Sequence, residues 1–292
     1  MLFCHLSKAQ SIREITNGLM SITGNLNHLG IQGKTPKKFS LSYINASRNW
    51  QMFRKFYFKL LEHIQNQGYF GRKKFKKIKR KIYLLDSTII SVCLKVFDWA
   101  KYRTAKGGIK IHTCWDDTLM IPEIVNISEA KLHDRYGLSQ LIFPKETVIV
   151  EDRAYFDFTL MLNRIKAQNI FVTRIKDNTI FKSIKELELP EDTDQNILKD
   201  EIIILNSDKA IETGINTTGL RLVHVYKEDE NKVIELITNQ LEWKASTISQ
   251  LYKKRWDIEL FFKALKQNLQ VKAFLGTSEN AVKSQIYIAL II

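Results

Sequence analysis

Between Ser246 and Leu269 the apolar residues Ile248, Leu251, Ile258, Phe262, Leu265 and Leu269 recur at three-, four- and seven-residue steps, the period of one helical face. Thr247 followed by Gln250 has the form of a capping box, so the stretch predicts a single long helix from its start. The same period marks two runs near the N-terminus. One carries Leu2, Leu6, Ile12, Ile15 and Leu19, and the other Trp50, Phe53, Phe56, Leu60, Leu61 and Ile64, with the basic, turn-rich GIQGKTPKK between them. The first run opens at Met1-Leu2-Phe3 without a start signal, and the chain stops at Ile292 inside an apolar segment. Either the chain is a piece of a longer protein, or its ends are tucked into a core.

Elsewhere the period falls to two. Ile82–Leu85 and Ile89–Val92 read as strand, interrupted by Asp86-Ser87-Thr88; Ile109–Thr113 follows a turn at Lys106-Gly107-Gly108, and Pro122–Ile127 is another candidate. These make a three-strand meander. Thr147–Val150 is a short buried strand, Phe156–Gln168 a helix and Ile170–Ile175 the next strand. From Asp177 to about Gln240, short runs such as Glu201–Leu205, Leu220–Tyr226 and Val233–Thr238 alternate with turn residues and predict an antiparallel β insertion. The expected units are a helical N-terminal region with a basic linker over 1–78, a mixed α/β core over 79–176, the insertion over 177–240, and a return to the core over 241–292.

With 292 residues, 45% of them hydrophobic, the chain can bury a substantial core. Forty-five Lys and Arg against 31 Asp and Glu give a formal charge of +14, which points to a polyanionic partner, nucleic acid first. The run RKKFKKIKRK at 72–81 concentrates that charge. No membrane partner is expected: no apolar run reaches the ~18 residues of a spanning helix, and neither a signal peptide nor a basic helix with an aromatic face is evident. A cytosolic protein follows. Cys4, Cys93 and Cys114 form no CxxC pair and read as buried thiols.

The candidate chemistry is carboxylate and cation. Tyr252, Arg255, Glu259 and Lys266 are spaced three, four and seven apart, within roughly a 60° arc of one helix. A carboxylate there can hold a divalent metal while Arg and Lys take phosphate oxygens; alternatively the stripe is a solvated salt-bridge face. Asp86 between two apolar runs either opens a turn or is kept to bind something. Asp152 ends a strand beside its rival Glu151, where it could also cap the following helix. His112 and His133 read as hydrogen-bonded structural residues rather than metal ligands, and Trp243 and Trp256 as core rather than base-stacking. Lys101, Arg103, Lys106, Lys110, Lys253 and Lys254 are candidate phosphate contacts.

The string Tyr252-x2-Arg255-x3-Glu259-x6-Lys266 resembles the signature of family-four bacterial insertion-sequence DDE transposases, and the strand-Asp86 and Asp152-Arg-x-Tyr-Phe contexts resemble the family's two catalytic Asp positions. The resemblance implies a ribonuclease H-like mixed sheet flanked by helices, with a β-rich insertion between Asp152 and Glu259. It also implies an Asp86, Asp152, Glu259 triad holding two Mg²⁺ or Mn²⁺ ions, for in-line phosphoryl transfer that cuts element ends and joins them to target DNA. Tyr252, Arg255 and Lys266 would contact DNA, where the family's motif handles a flipped base and a hairpin intermediate. Double-stranded DNA, a homodimer on it, and a bacterial, nucleoid-associated location complete the expectation. A catalytically inactive DNA-binding fragment and a metal-dependent nuclease of the same fold are the alternatives.

Overall fold

A computed structural model describes residues 9–22, 26, 34–68, 78–93, 96–103, 106–138, 141–269 and 274–292. Leu2, Leu6, Cys4 and most of the basic run lie outside the described residues, as do the side chains of Lys101, Arg103 and Lys106. The framework is one mixed sheet. Strands β1 (Ile82–Val92), β2 (Lys101–Arg103), β3 (Lys106–Asp116) and β4 (Ile121–Glu129) are followed by β5 (Val148–Glu151) and β6 (Ile170–Arg174). Strands β1 and β4 flank β3 in antiparallel pairs, β5 runs parallel to β1, and β6 runs parallel to β5. That order, an antiparallel meander continued by two parallel strands, is the ribonuclease H-like arrangement the resemblance implied.

The next strands, β7 (Phe181–Glu186), β8 (Ile197–Leu205), β9 (Leu220–Lys227) and β10 (Lys232–Thr238), are antiparallel. They join the same sheet, because β10 pairs with β6 through Leu236↔Arg174 to Thr238↔Val172. Arg221 of β9 ties this region to the chain beyond it, binding Asp200 of β8 and the backbone oxygens of Leu241 and Trp243.

The described helices are α1 (Ile12–Ser21), α2 (Lys38–Ser47), α3 (Gln51–Asn66), the short α4 (Asp134–Gly137), α5 (Phe158–Lys166), α6 (Asp208–Thr213), α7 (Ala245–Lys253), α8 (Arg255–Asn268) and α9 (Glu279–Ile291). Helix α1 is capped at Ser11, whose Oγ accepts from Glu14 N–H at 3.1 Å while the Glu14 carboxylate accepts from Gln10 N–H; Met1-Leu2-Phe3, where no start signal was expected, lies outside the described residues. Helix α3 packs on α9, where Trp50 stacks on Tyr287 with centroids 5.8 Å apart. The hydroxyls of Tyr57 and Tyr287 donate to the backbone oxygens of Pro122 and Val125, fixing both helices to β4.

Four expectations are corrected. Asp86 opens no turn, since β1 runs unbroken through it and pairs it with Thr113. Lys106-Gly107-Gly108 is strand rather than turn; a Cβ on Gly107 would stand 3.0 Å from Ala100 O and Val92 O, so the close approach of three strand segments accounts for the glycine. The long helix is two, α7 and α8, meeting at Lys254, and Thr247 is a buried residue inside α7 rather than its cap. Cys93 is exposed, while Cys114 is buried as expected.

Candidate active site

Parallel pairing of β1 and β5 brings two carboxylates together. The register sets Leu84 against Val150 and Leu85 against Glu151. Strand β5 ends there, so the next residue after each of this last pair is Asp86 on β1 and Asp152 just past β5. Side chains alternate across a sheet, and in parallel strands in register they alternate in phase. Leu84, Val148 and Val150 therefore share a face with Asp86 and Asp152, and pack with Ile248, Leu251, Ile258 and Phe262 of α7 and α8. Leu85 and Ile149 face the other way, toward Tyr83, Phe143 and Tyr155.

This alternation decides between Glu151 and Asp152. Glu151 is 0% exposed and its carboxylate meets Arg164 of α5 at 3.3 Å. It belongs to the packing of the far face. Asp152 instead lines the cleft; its cap contact to Ala154 N–H is long, 3.5 Å, and the cap of α5 is Asp157.

Helix α8 supplies the third carboxylate. Its buried Ile258 and Phe262 seat it on the sheet, each worth roughly 1.5–3 kcal/mol of apolar burial. Arg255, Glu259 and Lys266 lie on an adjoining stripe and line a cleft of about 890 Å³ together with Asp86, Ser87, Thr88, Asp152, Lys263 and Gln267. At its centre is the Arg255 guanidinium. It donates to Asp86 Oδ2 at 2.9 Å, meets Glu259 Oε1 at 2.5 Å and stands 3.9 Å from Asp152 Oδ1. The intrahelical pair of a salt-bridge face is thus present, but the same guanidinium reaches carboxylates from two other elements.

Burial pushes the Asp86 carboxyl up to about 7, although Arg255 and the Ser87 N–H pull the other way; Asp152 and Glu259 add to the rise. Burial opposes the Arg255 charge, yet the surrounding acids outweigh it and raise its pKa. Lys266 is lowered by burial alone. All three acids offer hard oxygen donors suited to a divalent cation. As they stand, however, no three acidic, His or Cys side chains among the described residues are grouped closely enough to hold one, and the guanidinium sits among the candidates.

A family model described as "Transposase DDE domain" matches residues 77–292. The chain belongs to the DDE transposase family. A second model, "Domain of unknown function (DUF4372)", matches residues 1–32. The chain is similar to the "Probable transposase for insertion sequence element IS5377" of Geobacillus stearothermophilus, 29% identical over 215 residues that cover 74% of this chain and 55% of the relative. A Synechocystis protein named for a transposase of insertion sequence element IS4SA is 28% identical over 268 residues, 90% of this chain and 72% of that one. The chain thus spans between half and three quarters of the length of these relatives. Among solved structures, a piggyBac transposase synaptic complex with hairpin DNA aligns at TM-score 0.42 and 14% identity, over 72% of this chain and 45% of that chain; so distant a likeness speaks to neither site nor substrate.

Within this DDE transposase domain several side chains stand elsewhere than the sequence suggested. Tyr252, expected at the DNA, is 8% exposed and packs with the core, its ring 5.8 Å from the Arg255 guanidinium, and burial pushes its hydroxyl up to about 12. Lys110, a candidate phosphate contact, is 6% exposed and bound to Asp134 and the Leu132 oxygen, because strand alternation turns it inward. Lys254 contacts the buried Asp117, whereas Lys253 is exposed. Trp256 is 59% exposed, contrary to a core role, because the break at Lys254 turns it outward; Trp243 packs on the core as expected. His112 is buried and bonded to Ser128 Oγ at 3.0 Å, and burial lowers its pKa to about 4, which fits the structural reading.

Sequence reasoning missed the cations beyond Asp152. Arg153, Arg174 and Lys176 line a second cleft, of about 630 Å³, that shares Asp152 with the first. The signal was available: Arg174 ends β6, the parallel neighbour of the strand that leads into Asp152, and strand ends in α/β sheets collect ligands.

Proposed function

We propose that the chain is the catalytic part of a DNA transposase that cuts element ends and joins them to target DNA, with Asp86, Asp152 and Glu259 as its acidic triad. The observation that carries this is the convergence of three carboxylates from β1, the end of β5 and α8 on one basic-walled cleft. Two Mg²⁺ or Mn²⁺ ions held by these acids would supply an activated nucleophile and charge neutralisation at the phosphoryl group. The chain's own residues do the rest. Arg255 and Lys266 bind backbone phosphate beside the scissile bond, Lys263 and Gln267 extend that contact along α8, and Arg174 and Lys176 receive the strand beyond Asp152. The walls of the cleft hold the phosphodiester against the acids, so that first water and then the freed 3′-hydroxyl attack in line.

The reading implies double-stranded DNA as substrate, a homodimer bridging two element ends, and a bacterial, nucleoid-associated location; among the described residues no helix is long and apolar enough to cross a membrane. Nicking of supercoiled plasmid by the purified chain in Mg²⁺, Mn²⁺ or EDTA tests it. Metal-dependent nicking is expected, lost in Asp86→Asn, Asp152→Asn and Glu259→Gln. Nicking that survives any of the three substitutions removes that residue from the site. Joining of a labelled 3′-hydroxyl end is scored separately, and nicking without joining would favour a nuclease.

A further inference from the structure

Arg255 is placed where a phosphate-binding side chain is least expected, inside the acidic cluster. Its three guanidinium nitrogens address three carboxylates from three elements: Nη1 to Asp86 at 2.9 Å, Nη2 to Glu259 at 2.5 Å and Nε toward Asp152 at 3.9 Å. The side chain is only 20% exposed, and the Tyr252 ring stands beside it at 5.8 Å. One positive charge thus faces three acids that would otherwise repel one another in a partly dehydrated cleft. The acids are consequently spread around the guanidinium rather than drawn together on a single point, and no trio of them is near enough to one centre to ligate an ion. A cation bound by all three must take the space and the lone pairs that Arg255 now uses.

We propose that Arg255 is the resident counter-cation of this cluster, and that divalent metal displaces it from the acids onto a phosphate of bound DNA. The inference rests on the metal role proposed above for Asp86, Asp152 and Glu259. The exchange is chemically matched, because the planar fork that pairs with carboxylate pairs equally with phosphate. It has room, since the cleft of about 890 Å³ opens from Arg255 toward Lys263, Lys266 and Gln267. It also has a mechanical origin: Arg255 is the first residue of α8, directly after the junction at Lys254, so its side chain can turn without unseating Ile258 and Phe262 deeper in the helix. Metal and Arg255 then compete for the acids, whereas metal and DNA phosphate help each other. By linkage each strengthens the other by the same factor.

The test uses the full chain and reads binding, not turnover. Mn²⁺ affinity is measured by the spin-resonance signal of free Mn²⁺ for wild type, Arg255→Gln and Arg255→Lys. Affinity for a fluorescent DNA duplex is measured by anisotropy in Ca²⁺ and in EDTA. With the competing charge removed, Arg255→Gln should bind Mn²⁺ about 10-fold more tightly, and Arg255→Lys, which keeps a charge there, should stay within about 3-fold of wild type. Ca²⁺ should tighten duplex binding by wild type about 10-fold and by Arg255→Gln less than about 2-fold. Equal or weaker Mn²⁺ binding by Arg255→Gln overturns the proposal, as does a full Ca²⁺-induced gain in that variant. Failure of wild type and both variants to bind Mn²⁺ overturns the metal reading itself, and with it this one. Melting curves in EDTA identify a variant that has not folded, and Arg255→Lys then decides alone: it should lose the Ca²⁺-induced gain of bidentate phosphate pairing while keeping wild-type Mn²⁺ affinity, and retention of that gain counts against the exchange.

Discussion

Replacing Arg164 by Leu separates the packing role of Glu151 from the cleft role of Asp152, although the two acids are adjacent. Glu151 is fully buried among Leu85, Ile149 and Tyr155, with Arg164 as its ion-pair partner at 3.3 Å; the same guanidinium lies 5.0 Å from the Phe143 ring. Removing the arginine leaves a carboxyl in an apolar layer without its cation, which costs about 3–5 kcal/mol. For a chain of this size that corresponds to a fall in Tm of roughly 6–20 °C. Exchanging both partners, as Glu151→Met with Arg164→Leu, removes the stranded charge together with the pair and should recover most of the loss, to within about 1–2 kcal/mol of wild type. The assay is thermal unfolding in EDTA, followed by Mn²⁺ titration. The double variant should keep Mn²⁺ binding, which Asp152→Asn should lose. The argument from strand alternation is refuted if the double variant melts as low as Arg164→Leu. It is refuted equally if the double variant loses Mn²⁺ binding while Asp152→Asn retains it.

Three further outcomes follow from the same geometry. The Asp86 carboxyl, pushed up to about 7 from 3.8, binds extra protons in the folded state between those values, so its contribution is present at low pH and is lost as pH rises through 7; in EDTA, the stability of wild type relative to Asp86→Asn should fall by on the order of 2–4 kcal/mol from pH 4 to pH 8, read as Tm against pH. Lys110→Met should lower stability by about 2 kcal/mol by stripping Asp134 of its cation, while the affinity for a DNA duplex and its salt dependence stay as in wild type; a weakened, less salt-sensitive complex would return Lys110 to the DNA surface. Gly137→Ala should cost about 1–3 kcal/mol, because its Cβ would stand 2.2 Å from the His112 ring, and an unchanged melting curve would show that α4 is free to shift.

The amino-acid sequence determined what depends on neighbours along the chain. The apolar period of 248–269 fixed which face of α7 and α8 is buried, and the spacing of Arg255, Glu259 and Lys266 fixed their common stripe, because a helix converts sequence spacing directly into angle. Alternation located β1 and β3, and short buried apolar runs located β5 and β6. Asp86 and Asp152 were legible as chemistry-bearing positions, but the tie between turn and strand at Asp86, and that between Glu151 and Asp152, could not be broken locally. Each depends on which strand lies alongside and in what register, a relation between residues distant along the chain, Asp86 with Thr113 in the one case and Leu85 with Glu151 in the other. Tertiary structure also decided the fate of the cations. Lys110, Lys254 and Tyr252 have the residue types of a DNA surface, yet each is claimed by a buried partner or by the core, while Arg174 and Lys176 emerge beside Asp152. A side chain's charge is written in the sequence, whereas the face it reaches and the counter-charge it meets are set by packing, which only the folded sheet and its helices supply.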